Sequence, residues 1–171
     1  MKKRSKIAFL DRDGVINSSK INRGYIGKIR DFKWLKGSKT AIRYLRSLKY
    51  KVVIVTNQSG IARGYFSLKD LYRINRHFNN ELKKIGTKVD KIFFCPYHKD
   101  GIIKKYKKKS FLRKPEIGMF LKASKVWNID KEKSFMIGDQ ESDMKFAKKA
   151  GIKGFFYNED NLYKFIKKRI N

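Results

Sequence analysis

Cysteine occurs once in this chain, at position 95, and proline only twice. A single thiol builds no disulfide framework and fits a reducing compartment, the cytoplasm by default. Scarce proline and the lack of any low-complexity tract suit a folded domain. Long apolar runs are missing as well. The stretch from Ile7 to Leu10 is cut off by Asp11, far short of a signal-peptide core, and no other run is long enough to span a bilayer. Acid is scarce beside base: 15 Asp and Glu stand against 44 Lys and Arg, a formal charge of +29. Such an excess fits either a polyanion-binding surface or codon bias, since lysine outnumbers arginine and Ile and Asn are also abundant. The basic residues are spread along the chain rather than clustered, apart from 102–110 and the C-terminal KKR. Specific nucleic-acid binding is therefore not expected, and no membrane partner is. The field would still draw an anionic substrate inward.

What is present is an alternation of short β-like runs with longer helix-like ones. KIAFL (6–10), KVVIVT (51–56), KIFFC (91–95), SFMIGD (134–139) and KGFFY (153–157) are compact and rich in β-branched or aromatic residues. They read as strands buried on both faces of a parallel sheet. Between them, helices are expected over 38–48 with Ser38 as cap, over 67–85 behind a Ser67/Asp70 capping box, and over 115–127 opened by Pro115. Two more are expected over 141–150, stopped by Gly151, and over 161–170. The 171 residues make one domain, 1–171, of the doubly wound α/β class without a large cap domain. The long irregular segments 17–37 and 95–114 are candidates for function.

In such a sheet, ligands bind beyond the carboxyl ends of the strands. Asp11 and Asp13 follow the first strand, Thr56 and Asn57 end the second, and Asp139 ends the fourth. Arg113 and Lys114 lie just ahead of the helix that leads into that fourth strand. Clustered carboxylates beside a phosphate site call for a hard divalent cation, and Mg²⁺ fits. Asp11 is then a nucleophile kept ionised by the cation, and Asp13 a general acid that later activates water. Thr56 and Lys114 stabilise charge on the transferring phosphoryl oxygens. Other phosphatase chemistries fail. The residue six after Cys95 is Gly101 and not arginine, the two histidines lack flanking Arg and Gly, and no GxSxG or Walker A pattern occurs.

FLDRDGVIN, VTNQSGIARGYF, RKPEIGM and IGDQESDM resemble the four motifs of the haloacid dehalogenase (HAD) superfamily. The resemblance runs over about 7–152 and is narrowest to the branch of heptose bisphosphate 7-phosphatases and histidinol phosphatases. It implies a monomeric, Mg²⁺-dependent phosphomonoesterase that forms an aspartyl-phosphate and removes the 7-phosphate of a heptose bisphosphate, on the way to nucleotide-activated heptose for surface glycans. It implies metal ligation by Asp11, the Asp13 backbone carbonyl and Asp139. Substrate contacts would come from Asn22, Arg23, Gly24 and Tyr25, from Thr56, Asn57, Gln58 and Ser59, and from Arg113 with Lys114. Histidinol phosphate is the first alternative substrate. A basic nucleic-acid-binding protein or polynucleotide 3′-phosphatase is the second.

The chain departs from that pattern in three places. Gln140 stands where lysine often follows the metal-binding aspartate. Asn22 replaces a common acid in a substrate loop a few residues longer than usual. The family's zinc loop reads Cys-x-His and later Cys-x-Cys, whereas Cys95, Tyr97, Ser110 and Leu112 stand here. A closed zinc site takes about four nitrogen or sulfur ligands, so no structural zinc is expected. Tyr97, Ile102, Ile103, Tyr106, Phe111 and Leu112 would hold the loop by packing instead. Metal analysis of protein purified without added zinc is expected to find well below one equivalent; stoichiometric zinc on Cys95 would overturn this.

Overall fold

The computed structural model describes residues 4–170, with the side chain of Asn22 left out. Five parallel strands form one sheet: β1 (Ile7–Leu10), β2 (Lys51–Asn57), β3 (Lys91–Cys95), β4 (Phe135–Gly138) and β5 (Lys153–Phe156), in the order β3-β2-β1-β4-β5. The helices are α1 (Ser38–Ser47), α2 (Leu68–Lys84), α3 (Gly118–Val126), α4 (Glu141–Ala150) and α5 (Leu162–Lys167). This is the doubly wound α/β architecture expected of alternating strands and helices.

The period-2 geometry of the strands splits the core into two layers. Ala8 and Leu10 of β1, with Val52 and Ile54 of β2, pack under α1, α2 and α5 against Leu45, Phe78 and Phe165. Ile7 and Phe9, with Val53, Val55 and Met136, face α3 and α4 against Phe120 and Phe146. Only the three central strands are buried on both faces. β3 and β5 are edge strands, and β5 is mostly exposed. The sheet grows outward from β1 through β2 to β3, then reverses to β4 and β5. The reversal leaves a crevice between the ends of β1 and β4, the place where open α/β sheets bind ligands.

Three helix boundaries differ from expectation. Ser38 is the first residue of α1 and not its cap, because Gly37 takes that place in a left-handed conformation (φ 77°). Ser38 turns its hydroxyl back to Leu35 O at 2.7 Å. Pro115 does not open α3, which starts at Gly118. The residues between are spent on turns, with Glu116 N donating to Arg113 O and Gly118 N to Phe111 O. α5 is shorter than 161–170, although Asn161 does cap it by accepting from Lys164 N at 3.1 Å. The Ser67/Asp70 capping box and the Gly151 stop are both formed as expected.

The 95–112 loop is held only in part by the packing expected of it. Tyr106 and Leu112 pack on the core as expected, but Ile102 is 76% exposed and Phe111 55%, so these two side chains do not hold the loop. Instead Ala62 O accepts from both Ile102 N (2.8 Å) and Ile103 N (3.0 Å), stitching the loop to the segment after β2. Tyr106 packs beside Ile61, Phe66 and Leu71, and Lys108 Nζ sits 4.3 Å from the centre of the Tyr97 ring. Cys95 is buried, with its thiol 3.8 Å from Tyr97 O.

Candidate active site

Asp11 stands one residue beyond β1, where its amide still bonds Ile137 O of β4 at 2.9 Å. Its Oδ1 accepts from Arg12 N (2.8 Å) and meets Lys114 Nζ (2.9 Å). Both contacts fall on one oxygen, which leaves Oδ2 with room to react. Lys114 is 3% exposed and reaches a second carboxylate, Asp143 Oδ1, at 2.6 Å, and Val55 O at 2.8 Å. Burial opposes the charge on Lys114, but Asp11 and Asp143 outweigh it and hold its pKa above the ordinary value. Asn57 sets the lysine in place: its amide donates to Lys114 O (3.1 Å) and its carbonyl oxygen accepts from Lys114 N (3.0 Å).

Asp13 has a separate set of partners. Arg12, 1% exposed, forks onto it with Nε 3.1 Å and Nη2 2.9 Å from Oδ1. Asn17 Nδ2 donates to Oδ1 at 2.9 Å and Gln58 Nε2 to Oδ2 at 2.7 Å. The two neighbouring acids therefore coexist because each faces its own buried cation, Lys114 for one and Arg12 for the other. Gln58 also donates to Thr56 Oγ1 at 2.9 Å. The Thr56 hydroxyl thus accepts within the protein and keeps its own proton for a ligand oxygen.

Asp139 ends β4 and closes the cluster. One oxygen each of Asp11, Asp139 and Asp143 lie within 4.8 Å of one another. Asp139 Oδ2 accepts from Gln140 Nε2 (3.2 Å), while its Oδ1 is buried with no partner. Three carboxylates against one ammonium leave two negative charges uncompensated, and a buried carboxylate oxygen is orphaned. An oxygen-liganded divalent cation fits both facts. Gly14, at φ 90°, makes the approach feasible, since a Cβ there would overlap the Asp139 carboxylate. Burial, with Asp143 and Asp13 adding repulsion against the pull of Lys114, pushes Asp11 up to about 7. Burial also raises Asp139.

Asp11, Asp13, Thr56, Lys114 and Asp139 are thus brought to one rim, as the motif spacing anticipates. Asn57 and Gln58 stand in the same place but spend their amides on the Lys114 backbone, Asp13 and Thr56. Ser59 starts the next turn, its O accepting from Arg63 N at 3.0 Å. Arg23 and Tyr25 line a neighbouring cavity of about 450 Å³ with Tyr65 and Phe66, and the Tyr25 and Tyr65 rings lie 4.5 Å apart. Asn22 and Gly24 belong to the 3-10 turn that carries Arg23, whose φ is 53°; the Asn22 side chain lies outside the described positions. The sequence pattern does not single out Asp143 or Arg12. The signal for Asp143 was its place in the first turn of a helix directly after Asp139.

This arrangement, an aspartate at the switch point with a cation pocket behind it, defines a phosphatase of the HAD superfamily. The sequence profile described as polynucleotide kinase 3 phosphatase matches residues 6–163, and the chain belongs to that family. A D-glycero-beta-D-manno-heptose-1,7-bisphosphate 7-phosphatase of Rhodopseudomonas palustris is 43% identical over 96% of this chain and 89% of its own length. A D-glycero-alpha-D-manno-heptose-1,7-bisphosphate 7-phosphatase of Photorhabdus laumondii is 42% identical over 86% and 79%. Among solved structures, the D,D-heptose 1,7-bisphosphate phosphatase from B. bronchiseptica, complexed with magnesium and phosphate, has a TM-score of 0.80 at 31% identity, covering 95% of this chain and 86% of that one.

The raised Asp11 pKa gives a pH test of the cation pocket. For an acid whose folded pKa exceeds its unfolded value of 3.8, the stabilising contribution is full below 3.8 and is lost as pH rises through about 7. Mg²⁺ competes with protons for the same carboxylate. Added Mg²⁺ is therefore expected to raise the Tm more at about pH 8 than at about pH 5.5. Equal shifts in differential scanning fluorimetry at both values would exclude the cluster as the cation site.

Proposed function

We propose that this protein removes the 7-phosphate of a D-glycero-D-manno-heptose 1,7-bisphosphate through an aspartyl-phosphate on Asp11. The observation that carries the chemistry is the Asp11 carboxylate, whose Oδ1 takes both the Arg12 amide and the buried Lys114 ammonium while an oxygen of Asp139 lies within 4.8 Å of the group. The sugar is suggested by the relatives, whose names agree on the position cleaved and differ in the anomer at nearly equal identity. The reading is therefore specific for the 7-phosphate and neutral on the anomer.

Asp11, Asp139 and Asp143 would hold Mg²⁺, with the Asp13 carbonyl as a further ligand; when bound, the ion neutralises phosphoryl charge and keeps carboxylate repulsion from blocking anion entry. Asp11 Oδ2 attacks phosphorus in line with the departing sugar oxygen. Thr56 donates its free hydroxyl proton to a phosphoryl oxygen. The Lys114 ammonium already donates to Val55 O and pairs with Asp11 and Asp143. What the lysine offers the transition state is charge rather than a new hydrogen bond. Asp13 gives its proton to the leaving oxygen and takes one from the water that cleaves the phosphoenzyme. Arg12, Asn17 and Gln58 fill its two oxygens, so those contacts must rearrange around the ligand before Asp13 can reach the leaving oxygen. A monomer working in the cytoplasm accords with a compartment that keeps Cys95 reduced; among the described residues no helix is long and apolar enough to cross a membrane.

Two outcomes test the reading. Asp11→Asn is expected to fold, since Lys114 keeps Asp143, and to retain less than about a hundredth of wild-type turnover, because an amide does not attack phosphorus. Residual activity above that level would remove Asp11 from the nucleophile's role. In a screen of heptose bisphosphate, histidinol phosphate and a 3′-phosphorylated oligonucleotide, kcat/KM for the heptose is expected to lead by at least about tenfold. A lead for either competitor would replace the substrate and leave the chemistry standing.

A further inference from the structure

The end of the sheet remote from Asp11 carries a groove that phosphoryl transfer does not use. Two adjoining cavities, of about 400 and 720 Å³, open where β1, β2, β4 and β5 begin, and both are lined by Lys6, Tyr50 and Lys133. Lys51 and Lys153 are the first residues of β2 and β5, Lys6 precedes β1, and Lys133 stands just ahead of β4. In the sheet order β2-β1-β4-β5 these lysines head neighbouring strands. At roughly 4.8 Å per strand the row spans about 14 Å. The length of β1, about 16 Å from Lys6 to Asp11, separates it from the active site, with the buried residues Ile7–Leu10 between. A substrate on Asp11 therefore does not enter the groove.

Five cations at this rim have no acid partner. Asp90 takes Arg46 and Lys51, and Glu159 takes Arg169. Among the described residues no carboxylate forms an ion pair with Arg4, Lys6, Lys49, Lys133 or Lys153, although Asp130 and Glu132 share the lining. Asp130 Oδ1 accepts instead from the Lys133 amide at 3.3 Å. Lys49 follows α1 in the left-handed conformation (φ 65°), a place that favours glycine, so a cation is kept there against backbone preference. The floor between these cations is aromatic. The rings of Tyr50, Phe135 and Phe155 run edge to face, with centres 5.2 and 5.6 Å apart. Lys6 Nζ lies 4.5 Å above the Tyr50 ring and Lys153 Nζ 5.0 Å above Phe155. Burial, with Asp130 adding repulsion, holds the Tyr50 pKa above its ordinary value, so the ring stays uncharged.

We propose that this groove binds single-stranded nucleic acid without sequence preference, with phosphates on the lysine row and bases against the Tyr50 and Phe155 rings. Unpaired cations alone would suit any polyanion. The aromatic floor narrows the choice, because every base has a π-face that stacks on such rings. A duplex keeps its bases stacked inside, and a bilayer presents a broad surface that recessed rings do not meet. Lys6 and Lys153 rest over the rings that bases would take, and each swings from there to a neighbouring phosphate. Phosphate contacts from lysine carry no sequence information, so the groove gives affinity without specificity.

Fluorescence anisotropy with a labelled oligo(dT) of about 20 nucleotides separates the groove from bulk charge. Lys6→Gln/Lys133→Gln/Lys153→Gln is compared with Lys69→Gln/Lys125→Gln/Lys148→Gln, three exposed lysines of α2, α3 and α4 whose loss lowers the net charge equally. The groove triple is expected to bind at least about tenfold more weakly than wild type. Its slope of log K against log salt should be smaller by about 2, at about 0.7 for each lost phosphate contact. The helix triple is expected to stay within about threefold of wild type. An unchanged Tm reports an intact fold. If the groove triple does not fold, Lys133→Gln/Lys153→Gln, which alters exposed side chains alone, is held to a slope change of about 1.4. Equal losses in the two triples, or no binding by wild type at low salt, would overturn the proposal. A groove-dependent preference for duplex over single strand would overturn it too. So would sedimentation with phosphatidylserine vesicles that the groove triple loses while its oligonucleotide affinity stays unchanged.

Discussion

The buried contact of Lys114 with Asp11 and Asp143 is the constraint on which the site depends. Taking an ammonium and two carboxylates out of water is expensive, and their mutual attraction offsets that cost only in good geometry. The fold supplies that geometry from four places. Asp11 comes from the end of β1, Asp143 from the first turn of α4, Val55 O from β2, and the Lys114 backbone is pinned by Asn57. Removing the lysine would leave two buried carboxylates uncompensated, so both acids depend on it. It also fixes the crevice, because the same contact draws the ends of β1, β2 and α4 toward one point.

The second ion pair separates the duties of the two neighbouring aspartates. Asp11 and Asp13 are two residues apart, yet their carboxylates belong to different electrostatic compartments, one organised by Lys114 and the other by Arg12. Gln58 links them at one remove, with its amide on Asp13 and on Thr56. One carboxylate is filled by three side-chain donors, whereas the other, crowded by further carboxylates and a single lysine, has an oxygen left to engage an electrophile or a cation. The difference lies in surroundings, since the residue type is the same.

The strands and the carboxylates at their ends are legible in the sequence because each signal is local: a β-branched run, then an acid. Asp143 is not, since its part depends on a lysine 29 positions earlier in the chain meeting it across the sheet end. Arg12 looks like one more basic residue among many until its burial is known. Pro115 misleads because a proline before a helix satisfies a local rule, while turn bonds from Arg113 and Phe111 delay the helix to Gly118. The 95–112 loop misleads for the opposite reason. Its apolar residues suggest packing, which Tyr106 and Leu112 supply, but Ile102 and Ile103 are held by the backbone carbonyl of Ala62, which carries no sequence signature.

The net charge of the chain and the charge of its site have opposite signs, and range reconciles them. Ions at physiological strength screen exposed charges beyond roughly 8–10 Å, so the +29 of the whole chain acts on an approaching phosphate as a broad field from the nearer lysines. Within the crevice, three carboxylate oxygens within 4.8 Å of one another outweigh that field. A divalent cation is therefore favoured at that point on a protein that repels cations elsewhere. Once a divalent cation is held, the two uncompensated negative charges are cancelled, and the crevice no longer opposes the positive surface around it. The scarcity of acid in the composition gains its meaning here: few carboxylates are present, and three of them converge where a metal-dependent phosphoryl transfer needs them.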